Sequence, residues 1–381
     1  MAVVSNGGTL PPLIAAQLNY LLTHSPFSVK VDRIWSGCRK GNPQLADRFT
    51  LLIPLCLDYI KWDVIYNAQY PLAAPDIIFA AEDESFHPFF VAGDAETPKS
   101  SLCDWNIKDP SKLLALIHEL RDIYILYQRK RIAELDDDRL KFEISTIHSR
   151  EGIEVCMISG PDKPEEVRFA VPLLDIDLNK LVHGCPWKHQ QIIYLQVVFP
   201  IRRKYGPAPS APRMKLVSSS ELKALFSVED VKLLPWSEGM CMAEYLPTLE
   251  ENLKLQIVDA VASVGARRRF IEALAPICGR PIEADPVFCR KATLLAATGV
   301  FTFLVHISIP IQFPKQQPTL MLQSSQHFNA QGTPVASPPL VDCPWSPRWD
   351  ASQMAERIFE FLAEEGLTFK KYCNDILVQH H

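Results

Sequence analysis

The sequence predicts an α+β protein made of tandem modules, each an antiparallel sheet packed on helices. Two observations lead to this fold class. Strand-like apolar runs are followed by helical stretches, and a proline-bracketed segment recurs at domain-scale spacing. We expect modules at residues 1–147, 148–247 and 248–381, and the middle one is degenerate.

Each predicted module contains a crossing in which prolines follow an aromatic residue. The first crossing runs from Tyr70 to Phe79 and the third from Phe313 to Leu322, both with the pattern Pro-x-x-x-Pro and then a strand-like run. The middle one, from Tyr205 to Val217, has altered proline spacing. Proline cannot donate to a sheet ladder and keeps its predecessor extended. Each crossing is therefore expected to end one strand and begin the next.

Apolar periodicity predicts the remaining elements in order. In the first module the predicted helices are 13–22 and 111–135, and the predicted strands are 27–34, 49–55, 60–67 and 76–80. The second module has strands at 153–158, 167–173, 192–199 and 213–218. The third module opens with a helix near 248–274 and closes with one at about 351–377, entered by Asp350 as its cap. Segments 136–150 and 219–247 are expected to be joints.

One segment has the length of a membrane span. Residues 292–313 carry no charge over 22 positions, enough to cross a bilayer. The alternative is two buried strands around a turn at Thr298-Gly299. Threonines, Pro310 and the lack of a flanking Lys/Arg cluster favour the strands.

Composition excludes several classes of function. A net charge of −5 and a pI near 6.1 do not favour nucleic-acid binding. Glycine is scarce, and no phosphate-cradling glycine motif is present, so no cofactor is expected. The ten cysteines include no CxxC pair, which argues against a zinc ribbon. With no signal peptide in view, we expect reduced thiols in the cytoplasm and nucleus.

The order of elements resembles the ubiquitin-conjugating enzymes and their inactive variants, the UEV and RWD domains. Three blocks also resemble the BRE (brain and reproductive organ-expressed) family, and their order and separation match that family across nearly the whole chain. These blocks are Asp47-Arg48-Phe49 with Lys61 to Phe79, Phe303 to Ile307 with Phe313 to Leu320, and Ser346 to Asp350.

The resemblance implies a non-catalytic scaffold subunit of a BRISC-type deubiquitinase complex and of its nuclear, BRCA-linked relative in DNA repair. It also implies partners: a JAMM zinc deubiquitinase subunit, its MPN-domain scaffold, a von Willebrand A-type subunit, and polyubiquitin.

The alternative to a scaffold is an active conjugating enzyme. Such an enzyme would need an exposed thiol and an upstream His-Pro-Asn. His87-Pro88-Phe89 precedes Cys103, but phenylalanine stands at the asparagine position and the spacing is long. Cys343 follows His327-Phe328-Asn329 and is itself followed by proline. Both departures favour the scaffold over the enzyme.

A metal-dependent hydrolase would need clustered histidines with an aspartate and a glutamate. The chain offers only His183-Gly-Cys185-Pro-Trp-Lys-His189 and the terminal His380-His381, so no metal site is predicted.

The proline crossings and the loop around two tryptophans are the candidate binding features. Tryptophan and arginine in a proline-rich loop make good interface anchors, although the loop could instead fold back on its own core. The candidate partner- or ubiquitin-binding residues are Tyr70, Pro71, Pro75, Phe313, Pro314, Pro318, Trp345, Arg348 and Trp349. The basic runs 129–131 and 267–269 are expected to be solvated helix faces, with docking as the alternative for the second.

Overall fold

The computed structural model describes most of the chain. The described residues are 10–37, 46–67, 72–88, 101–147, 149–160, 163–176, 181–182, 191–201, 211–329 and 331–379. They form two compact units, both discontinuous in sequence. Unit 1 comprises the described residues of Met1–Pro172, Tyr194–Val217 and Leu233–Leu246. Unit 2 comprises those of Leu173–Ile193, Ser218–Lys232 and Pro247–His381.

The first sheet is a four-stranded antiparallel meander in unit 1, in the order β1-β2-β3-β4. Helices α1 and α2 cover it, because the buried residues of β2, including Phe49, Leu51 and Ile53, form one core with the apolar stripe of α2. The elements are α1 (Pro12–His24), β1 (Lys30–Trp35), β2 (Arg48–Leu55), β3 (Asp58–Ile65), β4 (Asp76–Ile78) and α2 (Lys112–Ala133).

A second four-stranded sheet follows a short helix. The strand order is again sequential, β5-β6-β7-β8. Its elements are α3 (Asp138–Ile147), β5 (Glu154–Gly160), β6 (Lys163–Ile176), β7 (Gln191–Pro200) and β8 (Arg213–Val217). The four predicted strands are therefore confirmed. The prediction of a joint at 136–150 is wrong, since α3 occupies most of it and buries Leu140 and Ile147.

The third sheet has five antiparallel strands, in the order β13-β12-β11-β10-β9, all in unit 2. Its core is shared with two long helices. The elements are α4 (Met242–Cys278), β9 (Glu283–Ala284), β10 (Lys291–Thr298), β11 (Phe301–Ser308), β12 (Thr319–Phe328), β13 (Pro334–Ala336) and α5 (Ala351–Gln379).

The uncharged stretch 292–313 forms a hairpin, as the strand interpretation predicts. Thr298 pairs with Phe301, so Gly299 and Val300 make a two-residue turn. Gly299 has a φ of +65°, a conformation that suits glycine at the first position of such a turn. In the part of the chain that the structure describes, no helix combines the length and hydrophobicity needed to cross a bilayer.

Side-chain caps fix where the two long helices begin. The Asp350 carboxylate accepts from the Gln353 N–H at 2.8 Å, and Gln353 Oε1 accepts from the Asp350 N–H at 3.1 Å, a reciprocal capping pair that confirms the predicted start of α5. The Met242 N–H at the start of α4 donates to Glu143 at 2.9 Å. This bond from α3 explains why α4 starts six residues before the predicted 248.

Candidate functional site

The third proline crossing is built into an aromatic cluster of unit 2. Phe313 is 2% exposed, and its ring centroid lies 5.3 Å from that of Phe270 and 5.4 Å from that of Trp345. The Trp345 indole N–H donates to the Pro314 carbonyl oxygen at 2.9 Å. Three of the predicted binding residues, Phe313, Pro314 and Trp345, are therefore brought together.

The loop that carries Trp345 is tied back to the same crossing. Leu340 and Leu320 exchange two backbone hydrogen bonds, at 2.7 and 3.2 Å. The Gln317 side-chain amide donates to the Val341 carbonyl. Pro318 is buried, and its carbonyl oxygen lies 3.9 Å from Cys343 Sγ. Of the two interpretations of this loop, folding back on its own core describes Trp345, which packs half-buried against that core.

Arg267 supports the crossing from beneath, where the sequence predicts a solvated face. Its side chain is 0% exposed. Its Nε donates to the Phe288 carbonyl at 2.8 Å and its Nη1 to the Ile311 carbonyl at 2.9 Å. Ser263 Oγ, one turn earlier on α4, accepts from Nη1 at 2.9 Å and donates to the Phe313 carbonyl at 2.6 Å. The prediction of a solvated basic face is therefore wrong for Arg267.

Burial acts on the charge of this arginine. Loss of hydration, with a smaller effect from the like charge of Arg290, lowers the pKa of the Arg267 guanidinium to about 10. The group stays protonated near neutral pH and keeps its donors. Carbonyl oxygens take the place of a carboxylate partner, so Arg267 acts as a clamp on the backbone around the crossing.

An open groove lies between α4 and the crossing. Its volume is about 880 Å³, and the backbone from Pro310 to Gln316 forms one wall. Basic and acidic side chains both line it. They are Arg269, Arg290, Lys315, Asp230 and Asp259. Mixed charge over an apolar floor suits a peptide segment better than a single anion.

The remaining predicted residues of unit 2 lie at the entrance to α5. Trp349 is half-buried against the core of the unit, and the guanidinium of Arg357 lies 5.9 Å above its ring. Arg348 is exposed, and its backbone N–H donates to Ser346 Oγ at 3.4 Å. Of the predicted anchors in this loop, Arg348 is therefore the exposed one, whereas Trp345 and Trp349 are half-buried.

The first crossing is only partly described. Tyr70 and Pro71 lie outside the described residues. Pro75 is buried directly before β4, which agrees with its predicted part in launching a strand. Behind it, Phe79 lies edge-on to Trp62 with ring centroids 5.4 Å apart.

A buried polar network stands at the other end of this aromatic cluster. The Tyr124 hydroxyl donates to Asp83 Oδ2 at 2.8 Å and accepts from Gln128 at 2.8 Å. Burial raises the pKa of the Asp83 carboxyl, against the lowering effects of the Tyr124 hydroxyl and of Arg131. The network is structural, because its polar atoms are satisfied by one another.

The two candidate thiols lie in different surroundings. Cys103 is exposed, in a turn shortly before α2. Cys343 is buried, and burial raises the pKa of its thiol, which disfavours the thiolate. His327, upstream of it, is engaged elsewhere, since its Nδ1 lies 2.9 Å from Ser324 Oγ. Cys343 therefore lacks the setting of a nucleophile.

Metal ligands are not gathered in the described ranges: no group of three or more His, Cys, Asp or Glu side chains there is placed to hold an ion. The segment from His183 to His189 and the pair His380-His381 lie outside those ranges.

Helix α4 contributes the residues that support the third crossing, and none of them is among the candidates predicted from the sequence. Ser263, Arg267 and Phe270 follow one another at intervals of four and three residues, so they share one helix face. That spacing was the available signal. An arginine within a basic run is predicted to be solvated unless the apolar residues on the same helix face are taken into account.

Comparison with known proteins agrees with the blocks found in the sequence. The family model for brain and reproductive organ-expressed protein (BRE) matches residues 12–328. A Danio rerio protein named "BRISC and BRCA1-A complex member 2" is 30% identical over 341 residues, covering 86% of this chain and 85% of its own length. A Branchiostoma floridae protein of the same name is 28% identical over 357 residues, covering 88% of each chain. The chain therefore belongs to the BRE family.

Proposed function

We propose that this protein is a non-catalytic scaffold subunit of a BRISC-like deubiquitinase complex and of a BRCA1-A-like complex. The observation that carries the proposal is that the relatives named as members of those complexes align over most of both chains. The expected partners are a JAMM zinc deubiquitinase subunit, its MPN-domain scaffold and a von Willebrand A-type subunit. Polyubiquitin is the expected ligand, and the cytoplasm and nucleus are the expected locations of the protein.

The proposal includes the fold family of the modules. Each of the segments 1–147, 148–247 and 248–381 contains one antiparallel sheet in sequential strand order. In the first and third, a helix precedes the sheet and another follows it. This order supports UEV- or RWD-like modules, and the two boundaries between the modules stay predictions.

We infer that the groove beside the third crossing binds an extended segment of a partner or of ubiquitin. Support comes from its volume of about 880 Å³ and its mixed charges. Arg348 is the proposed anchor of the tryptophan loop, because it is exposed while Trp345 and Trp349 are half-buried. Pro75, Phe313, Pro314 and Pro318 then act by shaping the backbone.

The absence of catalysis is tested by charging with ubiquitin. Purified full-length protein is incubated with ubiquitin-activating enzyme, ubiquitin and ATP and analysed on a non-reducing gel. We expect no band that disappears on reduction. A thioester band that is lost in Cys103→Ala, with Cys343→Ala as the buried control, would replace the scaffold by the conjugating enzyme.

Complex membership is tested by co-expression with the three partner classes. We expect a stable assembly on gel filtration, weakened by Arg348→Glu and left intact by Lys371→Glu, an exposed charge reversal on α5. Trp345→Ala and Trp349→Ala are added with a thermal melt. If both stay folded and every partner stays bound, the interface role of this loop is wrong. If no partner co-purifies with the unmodified chain, the scaffold proposal itself fails.

A further inference from the structure

The outer edge of β10 is covered along only part of its length. The Ile282 N–H donates to the Thr293 carbonyl at 2.8 Å and the Asp285 N–H to the Lys291 carbonyl at 2.9 Å. Strand β9 is two residues long and pairs only with Ala292 and Thr293. From Leu294 to Thr298, no strand in the described residues pairs on this side.

The alternating direction of the backbone groups along β10 determines which N–H and C=O groups point to its outer side. In an antiparallel sheet, the N–H and C=O of successive residues point to opposite neighbours. Thr293 directs its carbonyl outward, so Leu295 and Ala297 direct theirs outward as well. These two residues present a row of donors and acceptors to which an added strand could pair.

An apolar groove lies directly beside this edge. It has a volume of about 420 Å³ and is bounded by the end of α4, by β10 and by α5. Leu295 is 52% exposed, Phe359 46% and Leu367 53%. Unpaired backbone next to an apolar groove is the combination that strand addition uses, since main-chain bonds give affinity and the groove takes alternate side chains.

The helix that walls the groove also indicates the charge of the occupant. Phe359, Ala363 and Leu367 are exposed at four-residue spacing and all line the groove. The exposed residues Glu356, Glu360 and Glu364 repeat at the same spacing and form an adjoining acidic row. Arg357 pairs with Glu360 at 2.8 Å, which leaves Glu356 and Glu364 to face a basic partner.

We propose that the β10 edge binds an extended segment of a partner protein, with apolar side chains at alternate positions and lysine or arginine between them. A second copy of this chain would bring the same glutamates, so charge complementarity favours a basic partner segment. This inference rests on the proposed scaffold role and specifies the chemistry of one of its contacts.

The test uses the full-length protein and a labelled octapeptide that alternates lysine with valine or isoleucine. We expect saturable binding by fluorescence anisotropy, and slowed amide exchange at residues 294–298 in the bound state. The same peptide N-methylated throughout, which cannot pair, should not bind. Equal binding of the methylated peptide, or none of the parent, overturns the proposal. So does dimerisation through this edge on light scattering, because it would mean that a second copy is the occupant.

Variants separate the edge from the groove. Ala297→Pro removes one outward N–H and should weaken binding about ten-fold, whereas Ala297→Ser keeps the N–H and should not. Ala363→Trp fills the groove and should abolish binding, whereas Thr368→Trp, exposed elsewhere on α5, should not. Glu364→Lys should weaken it in low salt. Unchanged affinity in Ala297→Pro and Ala363→Trp, both verified as folded by thermal melting, contradicts the proposal.

The two proposals fail in distinguishable ways. Loss of peptide binding in an otherwise intact assembly removes only the role of the β10 edge. Failure of the unmodified chain to assemble with any partner class removes the scaffold role, whatever the peptide does.

Discussion

The Arg267 side chain donates to the backbone of two segments of unit 2, at Phe288 and Ile311, and to the hydroxyl of Ser263 on its own helix. Replacing it by methionine, of similar length, removes the guanidinium donors to the carbonyls of Phe288 and Ile311. We expect Arg267→Met to lower the free energy of unfolding by about 2 kcal/mol, since part of the loss is offset by removing a buried charge.

Urea denaturation followed by tryptophan fluorescence measures this loss. Arg269→Met is the matched control, because Arg269 is exposed two residues along the same helix and should change stability by less than about 0.5 kcal/mol. Equal effects of the two substitutions would mean that the clamp contributes nothing specific.

Glu143 is a second buried charge whose effect depends on pH. Burial raises the pKa of its carboxyl, although the bond from the Met242 N–H lowers it. The folded state therefore binds the proton more tightly than the unfolded state, so this group favours folding at low pH. That contribution is lost as pH rises from the ordinary value of 4.5 through the raised one.

The variant Glu143→Gln tests the sign, because it keeps an oxygen acceptor for Met242 but cannot titrate. We expect the melting temperature of the unmodified protein to rise relative to that of Glu143→Gln as pH is lowered from 7 toward 4.5. A difference that is constant with pH, or that moves the other way, would contradict the raised pKa.

At the scale of elements, α5 depends on its capping pair. Asp350→Ala removes the acceptor for the Gln353 N–H and a negative charge at the positive end of the helix dipole. We expect a loss of about 1 kcal/mol in stability, measured by thermal unfolding. Asp375→Ala, in the last turns of the same helix, should be neutral or slightly stabilising. Equal losses would rule out a capping role.

The same scale shows what sequence could predict. Strands β1 to β4 and β10 to β12 alternate or carry long apolar runs, and the proline crossings mark their ends, so their positions follow from the sequence. The position of helix α3 could not be predicted in this way, because its acidic start at Asp136-Asp137-Asp138 is typical of a solvated connection. Its buried face, with Leu140 and Ile147, is too short for a clear period.

The turn between β2 and β3 was equally out of reach. Cys56 and Leu57 both have positive φ, at 50° and 64°, where Asn-Gly would be the usual signal. The second sheet supplies what the local sequence lacks. Glu154 accepts from the Cys56 N–H at 2.7 Å, and Gln196 donates to the Cys56 carbonyl at 3.3 Å. Residues 98 and 140 positions away thus hold the turn.

The candidate site divides in a similar way. The prolines and aromatic residues of the third crossing could be named from their pattern, and Phe313, Pro314 and Trp345 do lie together. The spacing of Ser263 and Arg267 shows that they share a helix face, but it does not show which backbone carbonyls they bind, because these lie about 20 to 50 residues away. Contacts to the backbone leave no mark on the sequence of the segment contacted.

At the scale of the whole molecule, unit 1 draws on residues beyond the predicted boundary at 147. The Met157 N–H donates to Gln128 on α2 at 3.1 Å, and Arg121 on α2 pairs with Glu154. A fragment of residues 1–147 loses these contacts along with the support of the β2–β3 turn. We expect it to melt well below fragment 1–246 or to aggregate.

Circular dichroism melts of the two fragments, compared with the full-length protein, test this expectation. If fragment 1–147 melts at the same temperature as 1–246, the first module is independent and the contacts to β5 and β7 are dispensable. The comparison also tests the boundary between the first and second predicted modules.

The Arg267 clamp has a consequence for assembly order. Its Nε and Nη1 reach their acceptors only when α4, the Phe288 carbonyl and the crossing are all in place, so we expect the wall of the groove to form together with the rest of unit 2. A partner that recognises this groove would thereby select chains that have finished folding. Chains that have not finished folding would lack the groove and would therefore not enter the complex.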